Sequence, residues 1–138
     1  MKRSRILTGF LLLLALGVGT VLSAVIRGKP TAQSNGSSIT VHWESLDETG
    51  VQRYEVLRRS GGSLDYVLIG TVAELKGNNS AYEFVDNNVF KTTDGVYRYK
   101  IRVINGQNPA PESEPTDPVS HFTSAAKRTW GSIKAMFR

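Results

Sequence analysis

Residues 96–104 read Val-Tyr-Arg-Tyr-Lys-Ile-Arg-Val-Ile, with Tyr97, Tyr99, Ile101 and Val103 alternating against Arg98, Lys100 and Arg102. A side-chain period of two belongs to a β-strand with one face buried and the other in water. The same pattern recurs at short intervals on both sides. Ser38–Glu44 places Ile39, Val41 and Trp43 on one face, and Gln52–Arg58 places Tyr54 and Val56 opposite Arg53 and Glu55, with Leu57 breaking the polar side. Ala81–Asp86 sets Tyr82 and Phe84 against Glu83, while Tyr66–Val72 is nearly all apolar and leaves its facing undetermined. A last strand is predicted over Pro118–Thr123 and a ragged first one between Ile26 and Gln33. The gaps carry turn chemistry: Asp47-Glu48-Thr49-Gly50, Ser60-Gly61-Gly62-Ser63, Lys76-Gly77-Asn78-Asn79, Thr92-Thr93-Asp94-Gly95 and Asn105-Gly106-Gln107-Asn108. Short strands so punctuated predict an all-β antiparallel sandwich.

The order Trp43, then Tyr54-Glu55-Val56-Leu57-Arg58, Leu68-Ile69-Gly70-Thr71-Val72, Tyr82-Glu83-Phe84-Val85-Asp86, Tyr97 to Val103 and Ser113-Glu114-Pro115 resembles a fibronectin type III domain of the bacterial exported type. The resemblance covers residues 26–123 and implies a seven-stranded, two-sheet sandwich, three strands on one sheet and four on the other. It also implies that Tyr97 is the corner tyrosine whose hydroxyl fixes the crossing before its strand. Pro115 and Pro118 are expected to keep the last edge from pairing with other chains.

The chain has 138 residues and no cysteine, which excludes a disulfide framework, a thiol nucleophile and a thiolate zinc site. Its net charge of +5 sits at the ends. Lys2, Arg3 and Arg5 lie at the start and Lys127, Arg128, Lys134 and Arg138 at the finish, leaving ten basic residues against all twelve acids between them. A nucleic-acid-binding domain would carry its basic surplus on the folded part, so no nucleic-acid partner is expected.

Three segments follow. Residues 1–24 are a signal peptide or membrane anchor, because a basic start precedes an uncharged stretch from Ile6 to Ile26. At about 1.5 Å per residue such a stretch is also long enough to cross a bilayer of about 30 Å as a helix. Ser23 or Ala24 offers a processing site, and retention would anchor residues 6–26 in the inner membrane with the basic end in the cytoplasm. Either outcome delivers the rest of the chain to the periplasm or cell surface. Residues 25–123 are the sandwich, and residues 124–138 are a basic tail. There Trp130, Ile133 and Phe137 recur on one helical face with Met136 beside them, among Lys127, Arg128, Lys134 and Arg138. These eight residues predict a short amphipathic helix, capped by Ser124, that needs a surface to fold on. An anionic membrane, the sandwich itself or a protein partner would serve.

The remaining polar residues carry no catalytic, metal or cofactor pattern. His42 and His121 have strand neighbours of no catalytic character and no visible cluster of nucleophile and orienting acid, and Asp47, Glu48 and Asp86 fit turn and capping roles better than a calcium loop. Gly61-Gly62 has neither the spacing nor the Lys of a phosphate loop. The outward row Arg98, Lys100, Arg102 is read as a solvated cross-strand ladder with Glu55 its one available counter-ion, against the alternative of a basic stripe for an anionic surface. The loop Asn105–Glu114, stiffened by Pro109 and Pro111, is a candidate partner-binding loop. The expectation is a non-catalytic exported binding or scaffolding module. The alternatives are a self-associating structural subunit of a surface assembly or filament, and a polysaccharide-binding accessory domain.

Overall fold

Seven strands form where the alternation lies: β1 (Thr31–Ser34), β2 (Ile39–Glu44), β3 (Arg53–Ser60), β4 (Val67–Val72), β5 (Ala81–Asp86), β6 (Gly95–Ile104) and β7 (Val119–His121). A 3-10 turn, Asn88–Lys91, joins β5 to β6. The computed structural model describes residues 24–91, 95–122 and 131–137. The segment read as a signal or anchor, most of the tail and the residues 92–94 that lead into β6 lie outside these. So does part of the crossing in which the resemblance gives Tyr97 its corner role.

The strands divide into a three-stranded sheet, β1-β2-β5, and a four-stranded sheet, β4-β3-β6-β7, antiparallel throughout. Between them lie Ile39, Val41, Trp43, Tyr54, Val56, Tyr82, Tyr97, Tyr99, Ile101 and Val103, the inward sets of β2, β3, β5 and β6, joined by Ile26, Val51, Val89 and Val119. Residues 26–119 thus close one core of their own. Its centre is aromatic. Trp43 and Tyr82 stack with ring centroids 5.3 Å apart, and Tyr54 meets both edge-on at 5.7 and 5.1 Å. Such pairings add about 0.5–1.5 kcal/mol each beyond the area they bury.

Some expectations are corrected. Phe84 is half-buried, because its ring lies across Gly70 of the opposite sheet at the rim of the core. The first strand begins only after Pro30, and Ile26 makes a single bridge to Ser45. The last strand shortens to three residues, but its ladder runs further by another device. Residues 111–116 lie along β6, where Val103 N donates to Pro111 O, Ser113 N to Ile101 O and Thr116 N to Tyr99 O, each at 2.8 Å. The hydroxyls of Ser113 and Thr116 accept the N–H groups of Ile101 and Tyr99 at 2.9 and 3.1 Å. Side-chain hydroxyls rather than backbone carbonyls supply these two acceptors.

Candidate functional site

Three surfaces bear on function: a loop-bounded cleft at one pole, the outward face of the four-stranded sheet, and the C-terminal residues. At the pole, the entering chain is tied beside β2 by Leu46 N to Val25 O at 2.7 Å and Arg27 N to Glu44 O at 2.8 Å. The β2–β3 turn and the β6–β7 loop flank it, leaving an open cleft between Ile26, Asp47, Thr49, Gln107 and Pro111. Asn105 Oδ1 accepts Gln107 N at 3.1 Å, and the Asn108–Pro109 peptide is cis. Asp47 Oδ1 accepts Thr49 N at 2.9 Å, and this bonding to Thr49 holds its carboxyl below the usual range. That is the turn role expected of Asp47.

Glu48, assigned the same role from sequence, does something else. Its carboxylate turns inward and is all but buried. Oε1 accepts the hydroxyls of Tyr54, at 2.9 Å, and Tyr82, and Oε2 accepts Gly77 N at 2.7 Å. Burial and the bond to Glu48 push the Tyr82 phenol up to about 12 and raise Tyr54 further. Asp86 is buried too. Arg58 Nη1 lies 2.8 Å from its Oδ2, the Tyr99 hydroxyl donates to the same oxygen at 3.0 Å, and Asn88 N donates to Oδ1 at 3.0 Å. Both carboxylates hold strands and loops together and are filled with donors from the chain itself.

The two histidines part company. His42 stays on the outward face of β2, half-exposed, with Glu83 3.7 Å away. His121 is 1% exposed and its Nδ1 lies 2.8 Å from Ser34 Oγ, which also accepts Gly36 N at 3.2 Å. Folding therefore brings a serine to a histidine that sequence left isolated. Among the described residues the buried Nε2 has no hydrogen-bond partner. Among the described residues no three His, Asp or Glu side chains gather as metal ligands.

On the outward face of the four-stranded sheet, β3 and β6 pair Arg59 with Arg98, Leu57 with Lys100 and Glu55 with Arg102. Glu55 bonds Arg53 at 3.0 Å and lies 3.5 Å from Arg102. Glu55 is not alone as counter-ion: Glu112, carried there by the β6–β7 loop, bonds Arg102 at 2.9 Å and lies 3.4 Å from Lys100. Leu57, between Lys100 and Leu68 in register, is buried despite facing outward. Tyr66 stands between the guanidinium of Arg59, 5.1 Å from its ring centre, and the ammonium of Lys100, at 4.7 Å.

Of the eight tail residues, Ile133, Lys134, Met136 and Phe137 are described, and Lys127, Arg128, Trp130 and Arg138 lie outside. Residues 131–136 form a short helix ending at a turn, with Phe137 N donating to Lys134 O at 3.2 Å. Met136 and Phe137 are 82% and 85% exposed, and no described residue of this helix is buried against the sandwich. Among the described residues no helix is long and apolar enough to cross a membrane.

The strand order, β1-β2-β5 facing β4-β3-β6-β7, is the three-and-four arrangement that the resemblance implied. The fold is fibronectin type III-like. No protein-family model matches the chain, and no curated protein matches its sequence. Among solved structures it is similar to titin kinase with its flanking domains, at TM-score 0.44 and 18% identity over 77% of this chain. That likeness spans only 19% of the titin chain. An Fn3-like protein from Clostridium thermocellum matches at TM-score 0.44 and 18% identity, covering 71% of this chain and 91% of that one. A structure described as a myokine gives 0.40 and 16%, covering 70% and 96%.

Proposed function

We propose that the chain is a non-catalytic, exported binding or scaffolding module of a bacterial cell envelope, its sandwich a rigid spacer and its basic C-terminal helix the device that docks it on an anionic membrane. The supporting observation is the exposure of Met136 and Phe137 beside Lys134 on a helix too short to be stable alone. The test is co-sedimentation of residues 24–138 with phosphatidylglycerol and phosphatidylcholine vesicles. Binding to the anionic vesicles that weakens with salt and falls at least tenfold in Met136→Ser/Phe137→Ser is expected. Equal binding to neutral vesicles, or by the double variant, overturns it. Intact mass measurement of the secreted and membrane fractions tests export, and an intact chain found only in the cytoplasm refutes it.

A second reading, self-association into a surface assembly, is favoured by the edge strand β4. Its six residues hold no charge and no proline, Val67 and Leu68 are 62% and 50% exposed, and Leu64 ahead of it is 89% exposed. Exposed, uncharged edges are the ones that pair with other chains. Light scattering over a concentration series would show a mass increase that Leu68→Lys abolishes, and a constant monomer mass would discard this reading. For polysaccharide binding the aromatic platform would have to lie elsewhere than Trp43, which is 5% exposed within the core.

A further inference from the structure

The outward face of the four-stranded sheet has two halves with different charge balance. Around Glu55 and Glu112, each cation has a carboxylate within 3.5 Å. One step along the ladder, Arg59 and Arg98 stand directly opposite one another, and among the described residues neither has a carboxylate within 4 Å. Arg98 also acts on the carboxylate of Asp117, which is bonded to Lys29 Nζ at 2.6 Å. Like charges in direct cross-strand register destabilise a sheet unless something neutral or negative sits between them. Both arginines line one open groove, together with Ser60, Gly61, Val96 and Pro118.

We propose that Arg59 and Arg98 form the two sides of a binding site for a phosphate-type oxyanion, either a soluble phosphate ester or a phosphomonoester headgroup. Three features favour this ligand chemistry. Two guanidinium forks on adjacent strands match the several oxygens of a tetrahedral anion, which each can take in bidentate fashion. Arg59 is already oriented by the Tyr66 ring, on which Lys100 also rests, so less side-chain freedom is lost on binding. A doubly charged anion relieves the repulsion across the register pair, which a carboxylate does only in part. The groove is open, so the site is selective for charge and geometry rather than for a large apolar body. It lies on the sheet face and does not depend on the C-terminal helix.

The test uses residues 24–138, which hold the whole core, titrated with inorganic phosphate at constant ionic strength while the arginine Nε signals are followed by NMR. Saturable shifts of Arg59 and Arg98 are expected, weakened at least tenfold in Arg59→Ala and in Arg98→Ala, several-fold in Arg98→Lys, and less than twofold in Arg53→Ala. A second readout is independent of the spectra. Phosphate should raise the melting temperature of the wild-type protein, and Arg98→Ala should melt higher than wild type without phosphate and show no further rise with it. Vesicles of phosphatidic acid, compared between wild type and Arg98→Ala, separate the two sources. A difference assigns the headgroup and no difference the soluble ester, provided the phosphate response depends on the arginines. Identical shifts with chloride, or a phosphate response unchanged in both alanine variants, overturn the site.

Discussion

The carboxylate of Glu48, on the turn between β2 and β3, accepts the hydroxyl of Tyr54 at 2.9 Å and through the same oxygen that of Tyr82 on the far side of the β4–β5 loop. With Gly77 N on its other oxygen, this one side chain ties the first sheet, the second sheet and a loop into the aromatic centre. Removing it in Glu48→Ala leaves the two buried tyrosine hydroxyls and the Gly77 N–H without their acceptor. We expect a loss of about 3 kcal/mol, against about 1 kcal/mol for Tyr54→Phe, which removes a single bond. Urea unfolding with an unchanged slope measures both. A Glu48→Ala loss below that of Tyr54→Phe refutes the shared-acceptor role.

The same cluster sets the alkaline limit of the fold. Burial raises the phenol of Tyr82 to about 12 and those of Tyr54 and Tyr99 above their ordinary value, the bonds to Glu48 and Asp86 adding to the effect. A raised phenol means that the folded state keeps a proton the unfolded chain releases near pH 10. Their contribution is therefore complete below about pH 10 and declines as pH rises from there, for Tyr82 through about 12. Stability in urea should fall over that window, and tyrosinate absorbance at 295 nm should appear in step with unfolding. Full ionisation of Tyr54, Tyr82 and Tyr99 in the folded protein at pH 10 would contradict this.

Asp86 and Arg58 make the buried ion pair of the sandwich, the Asp86 side chain 1% exposed. Breaking it from either end strands a charge, so Asp86→Ala and Arg58→Ala should each cost about 3 kcal/mol. Replacing the pair by hydrophobes of similar volume should cost far less. Chemical denaturation of the single and double variants decides it, and additive losses would remove the coupling.

Gly70 carries the ring of Phe84 where a Cβ would collide with it. Gly70→Ala should lose about 1–3 kcal/mol through overpacking. Phe84→Leu in the same chain should recover part of that loss. If the alanine variant melts with wild type, the two sheets are not in contact at this point.

Thr116 has no exposed surface, and its hydroxyl accepts Tyr99 N at 3.1 Å. Thr116→Val keeps the shape and removes the acceptor, leaving a buried N–H unpaired at a cost of about 1–2 kcal/mol. Hydrogen exchange at Tyr99 should accelerate by the same free energy. Unchanged protection there would mean that another acceptor takes over.

How far the sequence could be read depended on what carries each feature. The inward sets of β2 and β6 follow from alternation alone, because every second side chain on a strand shares a face and a core accepts only one of the two faces. Phe84 followed the same alternation yet lies at the rim, since distance from the edge of the sheet is not written in the period. Glu112 was missed as a counter-ion for Lys100 and Arg102 because the loop's return path along β6 is set by prolines and hydroxyls rather than by any alternation. Glu48 looked like a turn residue because its partners, Tyr54, Tyr82 and Gly77, lie 6, 34 and 29 positions away. An acidic residue in a turn flanked by tyrosine-bearing strands is the one signal that could have found it.

The amino-acid order by itself determined the inward faces of β2, β3 and β6 and the basic surplus at the two termini, all of which depend on spacing of a few residues. Only the tertiary structure decided which polar groups meet: Glu48 with two tyrosines, Asp86 with Arg58, Ser34 with His121, and Arg59 opposite Arg98. The physical reason is range. Burial along a strand is a local, repeating property, whereas a hydrogen bond or ion pair requires two distant segments to arrive within about 3 Å, and that is fixed by register and loop path after the sheets have closed.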